Sequence, residues 1–172
     1  MQPRTLELIR TIPDWPTPGV MFKDITPALA DPDALFDLVE GLAEPFFEAD
    51  ITHVVAMEAR GFIVGAPVAV MLNAGFIPLR KPGKLPFNTY AESYALEYGA
   101  NELHMHVDAL TPASRVLIVD DVLATGGTAA AAERLIDSAG ATVLGSAYIL
   151  ELAFLGGRSK LRAPVHSLLT VD

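Results

Sequence analysis

The sequence predicts an α/β protein with a doubly wound, mainly parallel sheet flanked by helices. Three observations carry that expectation. From residue 51 onward, short apolar runs alternate with helical segments, the pattern of βαβ units. Residues 116–119 (VLIV) contain no polar side chain, as suits a strand buried on both faces. That run leads through two aspartates and a Gly-rich turn into an alanine-rich segment, which reads as strand, turn and helix. At 172 residues and 51% hydrophobic composition, residues 1–172 form a single domain with a substantial core.

Taken in order, residues 3–12 place Leu6, Leu8, Ile9 and Ile12 at spacings compatible with a short helix. Residues 13–19 (PDWPTPG) carry three prolines and a glycine, which exclude regular structure. Residues 20–27 read as a loop or short strand. Asp31 and Pro32 form an N-cap and first-turn pair, with Leu35, Phe36, Leu38, Val39 and Leu42 at helical spacing beyond them and Pro45 ending the helix. Residues 51–57 are a strand with Glu58-Ala59-Arg60-Gly61 as its exit loop. Residues 62–72 are a helix with small residues for close packing, and 76–79 a further strand. Residues 92–98 and 102–107 alternate in polarity and predict a hairpin. Residues 116–119 follow as a strand that Asp120 and Asp121 end, with helix from Thr128. Residues 143–150, closed by Glu151, and 165–171 complete the sheet.

Composition excludes several functions. A net charge of −9 argues against a nucleic-acid surface, which needs a basic face. No window approaches ~18 uncharged apolar residues, so no membrane span is expected. The N-terminal stretch lacks the apolar core of a signal peptide, and the chain has no cysteine. Together these predict a cytoplasmic protein. Neither a Walker loop nor a G-x-G-x-x-G fingerprint is present. His104 and His106 alternate on one face of a strand and read as a solvent-facing pair rather than a metal site. His53 and His166 are isolated, and Trp15 reads as a packing residue.

Ligands of doubly wound sheets bind outside the carboxyl ends of the strands. Residues 58–61, 80–84 and 120–128 all follow strands. In the last of these, free backbone N–H groups and the positive end of a helix make an anion site, to which Thr125 and Thr128 add hydroxyls. Asp120 and Asp121 would repel a lone phosphate. They suit a ligand that offers a phosphate to the turn and hydroxyls or a bound cation to the carboxylates, and a phosphorylated ribose does both. An acidic protein that binds phosphates needs a local basic cluster or a metal ion, and Arg80, Lys81 and Lys84 form the densest basic cluster in the chain.

VLIVDDVLATGGT (116–128) resembles the phosphoribosyl-pyrophosphate motif of the type I phosphoribosyltransferases. Segments 14–27, 56–69, 79–86, 93–99 and 150–161 follow that family's order and point to its adenine-using branch. The resemblance implies an N-terminal hood at residues 1–30 that binds the base, and a flexible lid loop and hairpin at 80–107. It assigns adenine recognition to Met21, Phe22, Lys23 and Leu152, with Phe22 stacking on the base and the backbone at Met21 and Lys23 reading its edge. Relatives commonly carry arginine in place of Lys23. It assigns the 5′-phosphate to Ala124, Thr125, Gly126, Gly127 and Thr128, the ribose hydroxyls to Asp120 and Asp121, and pyrophosphate to Arg60, Arg80, Lys81 and Lys84. It makes Glu97 a catalytic residue on the lid beside Tyr98. The Arg80–Lys81 peptide is often cis in the family, and the arginine can reach a neighbouring subunit. Mg²⁺ is the implied cofactor, held mainly by substrate with Asp120 and Asp121 as direct or water-mediated contacts. The implied partners are adenine and phosphoribosyl pyrophosphate, in a homodimer. The expected reaction is purine salvage, giving AMP and pyrophosphate. The alternatives are an oxopurine phosphoribosyltransferase and a non-catalytic sensor of phosphoribosyl pyrophosphate.

Overall fold

The structure, a computed structural model, describes residues 2–95 and 100–172; Glu97 and Tyr98 lie outside the described residues. The chain divides into two compact units, Met1–Gly41 and Leu42–Asp172.

In the first unit, the prolines at 13, 16 and 18 separate two short strands that pair with each other. Helix α1 (Pro3–Glu7) precedes β1 (Arg10–Ile12), which runs antiparallel to β2 (Phe22–Asp24). The helix expected over 3–12 therefore stops after its first half. Pairing of Ile12 with Phe22 and Arg10 with Asp24 overrides the local helical spacing. Asp24 locks the pair: its carboxylate accepts from Arg10 Nε at 2.7 Å and from the Thr26 amide and hydroxyl at 2.9 and 2.7 Å. These Thr26 and Arg10 hydrogen bonds hold the Asp24 carboxyl below its ordinary range. A five-residue helix, α2 (Thr26–Ala30), carries no helical periodicity long enough to be legible. Asp31 then caps α3 (Pro32–Ala43), accepting from the Asp33 and Ala34 amides at 3.1 and 3.0 Å.

The second unit is built on five strands: β3 (His53–Met57), β4 (Gly75–Leu79), β7 (Arg115–Leu123), β8 (Thr142–Leu152) and β9 (Val165–Val171). Their order is β4-β3-β7-β8-β9, and every pairing is parallel. Helix α4 (Arg60–Met71) joins β3 to β4, and α5 (Gly127–Ser138) joins β7 to β8. The helices take opposite faces. Gly65 of α4 lies against Ala56 and Val119, whereas Ala131, Ala132, Leu135 and Ile136 of α5 pack with Val55, Met57, Val116 and Ile118. Residues of alternating parity on each strand serve the two faces, so the central runs 54–57 and 116–119 are apolar throughout. The antiparallel hairpin β5 (Thr89–Ala95) and β6 (Ala100–His106) sits on the α5 side, with Leu103 and Met105 in the same cluster.

The connections leave β3 in one direction toward β4 and leave β7 in the other toward β8 and β9. The switch point thus lies between the carboxyl ends of β3 and β7, the crevice where such sheets bind ligands. Strand β7 is longer than its apolar run suggests: it continues through both aspartates, because Val122 and Leu123 still pair with Leu150 and Glu151 of β8. His104 and His106 are half-buried rather than solvent-facing. The His104 ring pairs with the Thr89 hydroxyl at 2.9 Å and Glu102 at 3.1 Å, and the His106 ring stands edge-on to Phe87. Among the described residues no group of three His, Asp or Glu could hold a metal, and no helix is long and apolar enough to cross a membrane.

Candidate active site

Three strand exits in the second unit bring charged groups to the switch point. At the end of β7, Asp121 is 6% exposed and receives Arg60 Nε at 2.5 Å from the start of α4. The Asp121 amide donates to Asp120 Oδ1 at 3.0 Å. Burial among protein atoms, then the neighbouring Asp121 charge, pushes the Asp120 carboxyl well above its ordinary range, although Arg60 pulls the other way. Asp121 is thus matched by a guanidinium, and burial beside it disfavours charge on Asp120.

Beyond Leu123 the chain turns sharply. Gly126 takes the left-handed conformation at φ 76° and caps α5 without any side-chain hydrogen bond. The first amides of α5 consequently lack side-chain acceptors and face the turn, as an anion site requires. A small pocket of ≈ 80 Å³ lies here, lined by Asp120, residues 122–129 and Tyr148. Tyr148 is buried, and burial pushes its phenol upward, so it remains protonated.

The second exit follows β4. Glu58, just past β3, organises it: its carboxylate accepts from Arg80 Nε at 3.0 Å and from the Lys81 amide at 2.9 Å. Burial raises Glu58, but the Lys81 amide, Arg80 and Lys84 outweigh that and hold it below its ordinary range. Sequence reading gave Glu58 no role of its own. An acid at one strand end, beside a basic cluster at the next, was the available signal. Lys81 and Lys84 are exposed beside this anchor. The cis peptides among the described residues are Trp15–Pro16 and Glu58–Ala59, not Arg80–Lys81. Leu152 is half-buried at the last position of β8.

Of the residues expected to read the base, Met21, Phe22 and Lys23 lie in the first unit and Leu152 in the second. Phe22 packs edge-on against Trp15, ring centroids 4.3 Å apart, and Lys23 Nζ donates to the Thr11 hydroxyl across the β1–β2 pair at 2.7 Å. Met21 is 59% exposed. The lysine side chain is thus engaged within its own hairpin.

This fold is that of the type I phosphoribosyltransferases, and residues 28–170 match the family described as Phosphoribosyl transferase domain. An adenine phosphoribosyltransferase of Thermobifida fusca is 61% identical over 153 residues, covering 89% of this chain and 87% of that protein. The Streptomyces clavuligerus protein of the same name is 57% identical over 163 residues, covering 95% and 92%. Crystal structures agree. The Rhodothermus marinus adenine phosphoribosyltransferase is 53% identical with a TM-score of 0.92, covering 98% of this chain and 97% of that one. The Saccharomyces cerevisiae enzyme, complexed with an imino-altritol bisphosphate and adenine, is 40% identical with a TM-score of 0.91, covering 96% and 98%. The chain belongs to the adenine phosphoribosyltransferases.

Proposed function

We infer that the protein transfers the phosphoribosyl group of 5-phosphoribosyl-1-pyrophosphate to adenine, giving AMP and pyrophosphate in purine salvage. The observation that carries this reading is the paired Asp120–Asp121 strand end, matched by Arg60 and continuous with the phosphate turn, in a chain 61% identical to an adenine phosphoribosyltransferase. Residues 124–128 hold the 5′-phosphate and pin the ribose at its remote end. Asp120 and Asp121 hold the ribose hydroxyls. Adenine N9 attacks C1′ as pyrophosphate leaves, through a cationic ribose ring that the carboxylate field stabilises. Arg60, Arg80, Lys81 and Lys84 stabilise the charge growing on pyrophosphate. Met21, Phe22, Lys23 and Leu152 recognise the base. Glu97 handles the imidazole proton, and Tyr98 belongs to the lid. Replacing Glu97 by Gln should lower kcat and shift the pH profile; wild-type kinetics would remove the proton role.

Two adjacent carboxylates, without a third protein ligand among the described residues, suit Mg²⁺ carried largely by substrate oxygens. Asp120 and Asp121 would hold it, and it would neutralise the pyrophosphate. Chelation should abolish turnover, and full activity without metal would overturn this assignment. We also propose a cytoplasmic homodimer. The cysteine-free composition supports the compartment, and exposed Ile63 and Val70 on α4 support the association. Sedimentation equilibrium tests the dimer, and a monomer at all concentrations would reject it.

One assay tests the main reading. Incubation with phosphoribosyl pyrophosphate, Mg²⁺ and each purine base should yield AMP from adenine alone. Product from hypoxanthine, guanine or xanthine instead would make the enzyme an oxopurine transferase. No product from any base would leave a sensor.

A further inference from the structure

The segment after β8 presses on the turn at 124–128, with backbone meeting backbone. A Cβ on Gly157 would overlap the Ala124 carbonyl oxygen and lie 2.8 Å from the Gly126 nitrogen. A Cβ on Gly126 would overlap the Gly157 carbonyl oxygen and lie 3.0 Å from the Gly157 Cα. No side chain fits between the two segments, so the position of one dictates the position of the other.

The segment is in turn anchored to two buried carboxylates. Glu151, 4% exposed near the end of β8, takes Arg158 in a fork, with Nε on Oε1 at 2.8 Å and Nη2 on Oε2. Ser167 donates to Oε2 at 2.9 Å, and Arg158 Nη1 donates to the Val165 carbonyl at 2.8 Å. Glu133, 2% exposed in α5, accepts from the Arg162 and Ala163 amides and from Arg162 Nε, while Arg162 Nη2 reaches Asp137 at 2.6 Å. The carboxylates are buried but the guanidiniums are half-exposed or more, so the pairs are a weak source of net stability. The Glu151–Arg158 fork and the amide bonds to Glu133 do fix geometry. Here one pair ties the segment to the sheet and the other ties it to the helix that begins at the phosphate turn.

We propose that Gly157 and Arg158, with Glu151 as anchor, are positioning residues for the 5′-phosphate: they set the shape of the turn at 124–128 without touching the ligand. This rests on the reading that residues 124–128 bind that phosphate. The brace governs affinity for ribose phosphates and leaves pyrophosphate binding alone.

The test compares binding of ribose 5-phosphate and of pyrophosphate by calorimetry in full-length variants, with urea midpoints to verify folding. Gly157→Ala should weaken ribose 5-phosphate about tenfold, roughly 1.4 kcal/mol, and change pyrophosphate less than about twofold. Arg158→Lys keeps the charge but loses the fork, and should weaken ribose 5-phosphate about threefold with the same selectivity; it decides the matter should Gly157→Ala not fold. Thr128→Ala removes a hydroxyl from the turn itself and reports on the underlying reading. Loss of ribose 5-phosphate affinity in Thr128→Ala, with none in the brace variants, would overturn the brace alone. No loss in any of them would overturn the phosphate reading and the brace with it. A parallel loss of both ligands in the brace variants would reduce the segment to a general structural support.

Discussion

Asp121 and Arg60 face one another at 2.5 Å across the ends of β7 and α4, and each has a task in the proposed reaction. The carboxylate is buried and its partner is half-exposed, so the guanidinium can serve the leaving group while the aspartate stays in place. In the proposed reaction the pair would link the ribose and pyrophosphate halves of the site. Replacing Asp121 by Asn keeps the shape and removes the charge that favours a cationic ribose ring. Turnover should fall about a hundredfold, whereas adenine binding should change less than about twofold. Steady-state kinetics with calorimetric adenine binding checks this, and an unchanged kcat would end the ribose assignment. Lys23 is a contrasting case: its ammonium bonds Thr11 within its own hairpin, so a base contact made through backbone should tolerate arginine there.

At the scale of elements, the strand exits are held by carboxylates that pair with basic groups or amides. Glu58 binds the start of the Arg80–Lys84 loop, and Glu151 binds the segment packed on the turn at 124–128. Both carboxyls lie below their ordinary range. For Glu58 the Lys81 amide and the Arg80 and Lys84 charges overcome burial. For Glu151 the Arg158 hydrogen bonds lead, against burial and with Ser167. With the folded pKa depressed, the unfolded chain binds more protons in the acid range. The stabilisation is therefore complete above the ordinary carboxylate pKa and is lost as pH falls through the folded value. Glu58→Gln should flatten the fall of Tm with acidification relative to wild type, as thermal melts across the acid range would show. Parallel curves would mean that Glu58 is not coupled to folding.

For the whole molecule, the scaffold and the site are spatially separate. The α5-side core joins Leu135 and Ile136 to Val55, Met57, Val116 and Ile118 beneath the sheet. Leu135 is fully buried, eight residues down α5 from Gly127, about 12 Å at the helical rise. Leu135→Ala should cost about 2–5 kcal/mol of stability by leaving a cavity. With the strand exits untouched, kcat should stay within about twofold of wild type. Denaturant unfolding and kinetics on the same preparation check both halves, and a kcat that collapsed in the folded variant would show that the two are coupled.

The sequence by itself determined the parallel sheet, both crossover helices and the hairpin, because their apolar spacing is a local property. It also determined that a glycine-containing turn and a helix follow two carboxylates. The tertiary structure decided what no local pattern encodes. Residues 10–12 leave their helix because Phe22–Asp24 offers them a partner strand. Strand β7 runs on through Asp120 and Asp121 because β8 continues to pair with it. The Arg60 partner of Asp121 and the burial that raises the Asp120 carboxyl are both supplied from elsewhere in the fold. Glu58, Glu151 and Gly157 look unremarkable in sequence and acquire roles only where distant segments meet. Hydrogen-bond pairing, desolvation and the exclusion of one backbone by another act through space, so they follow the fold rather than the order of residues.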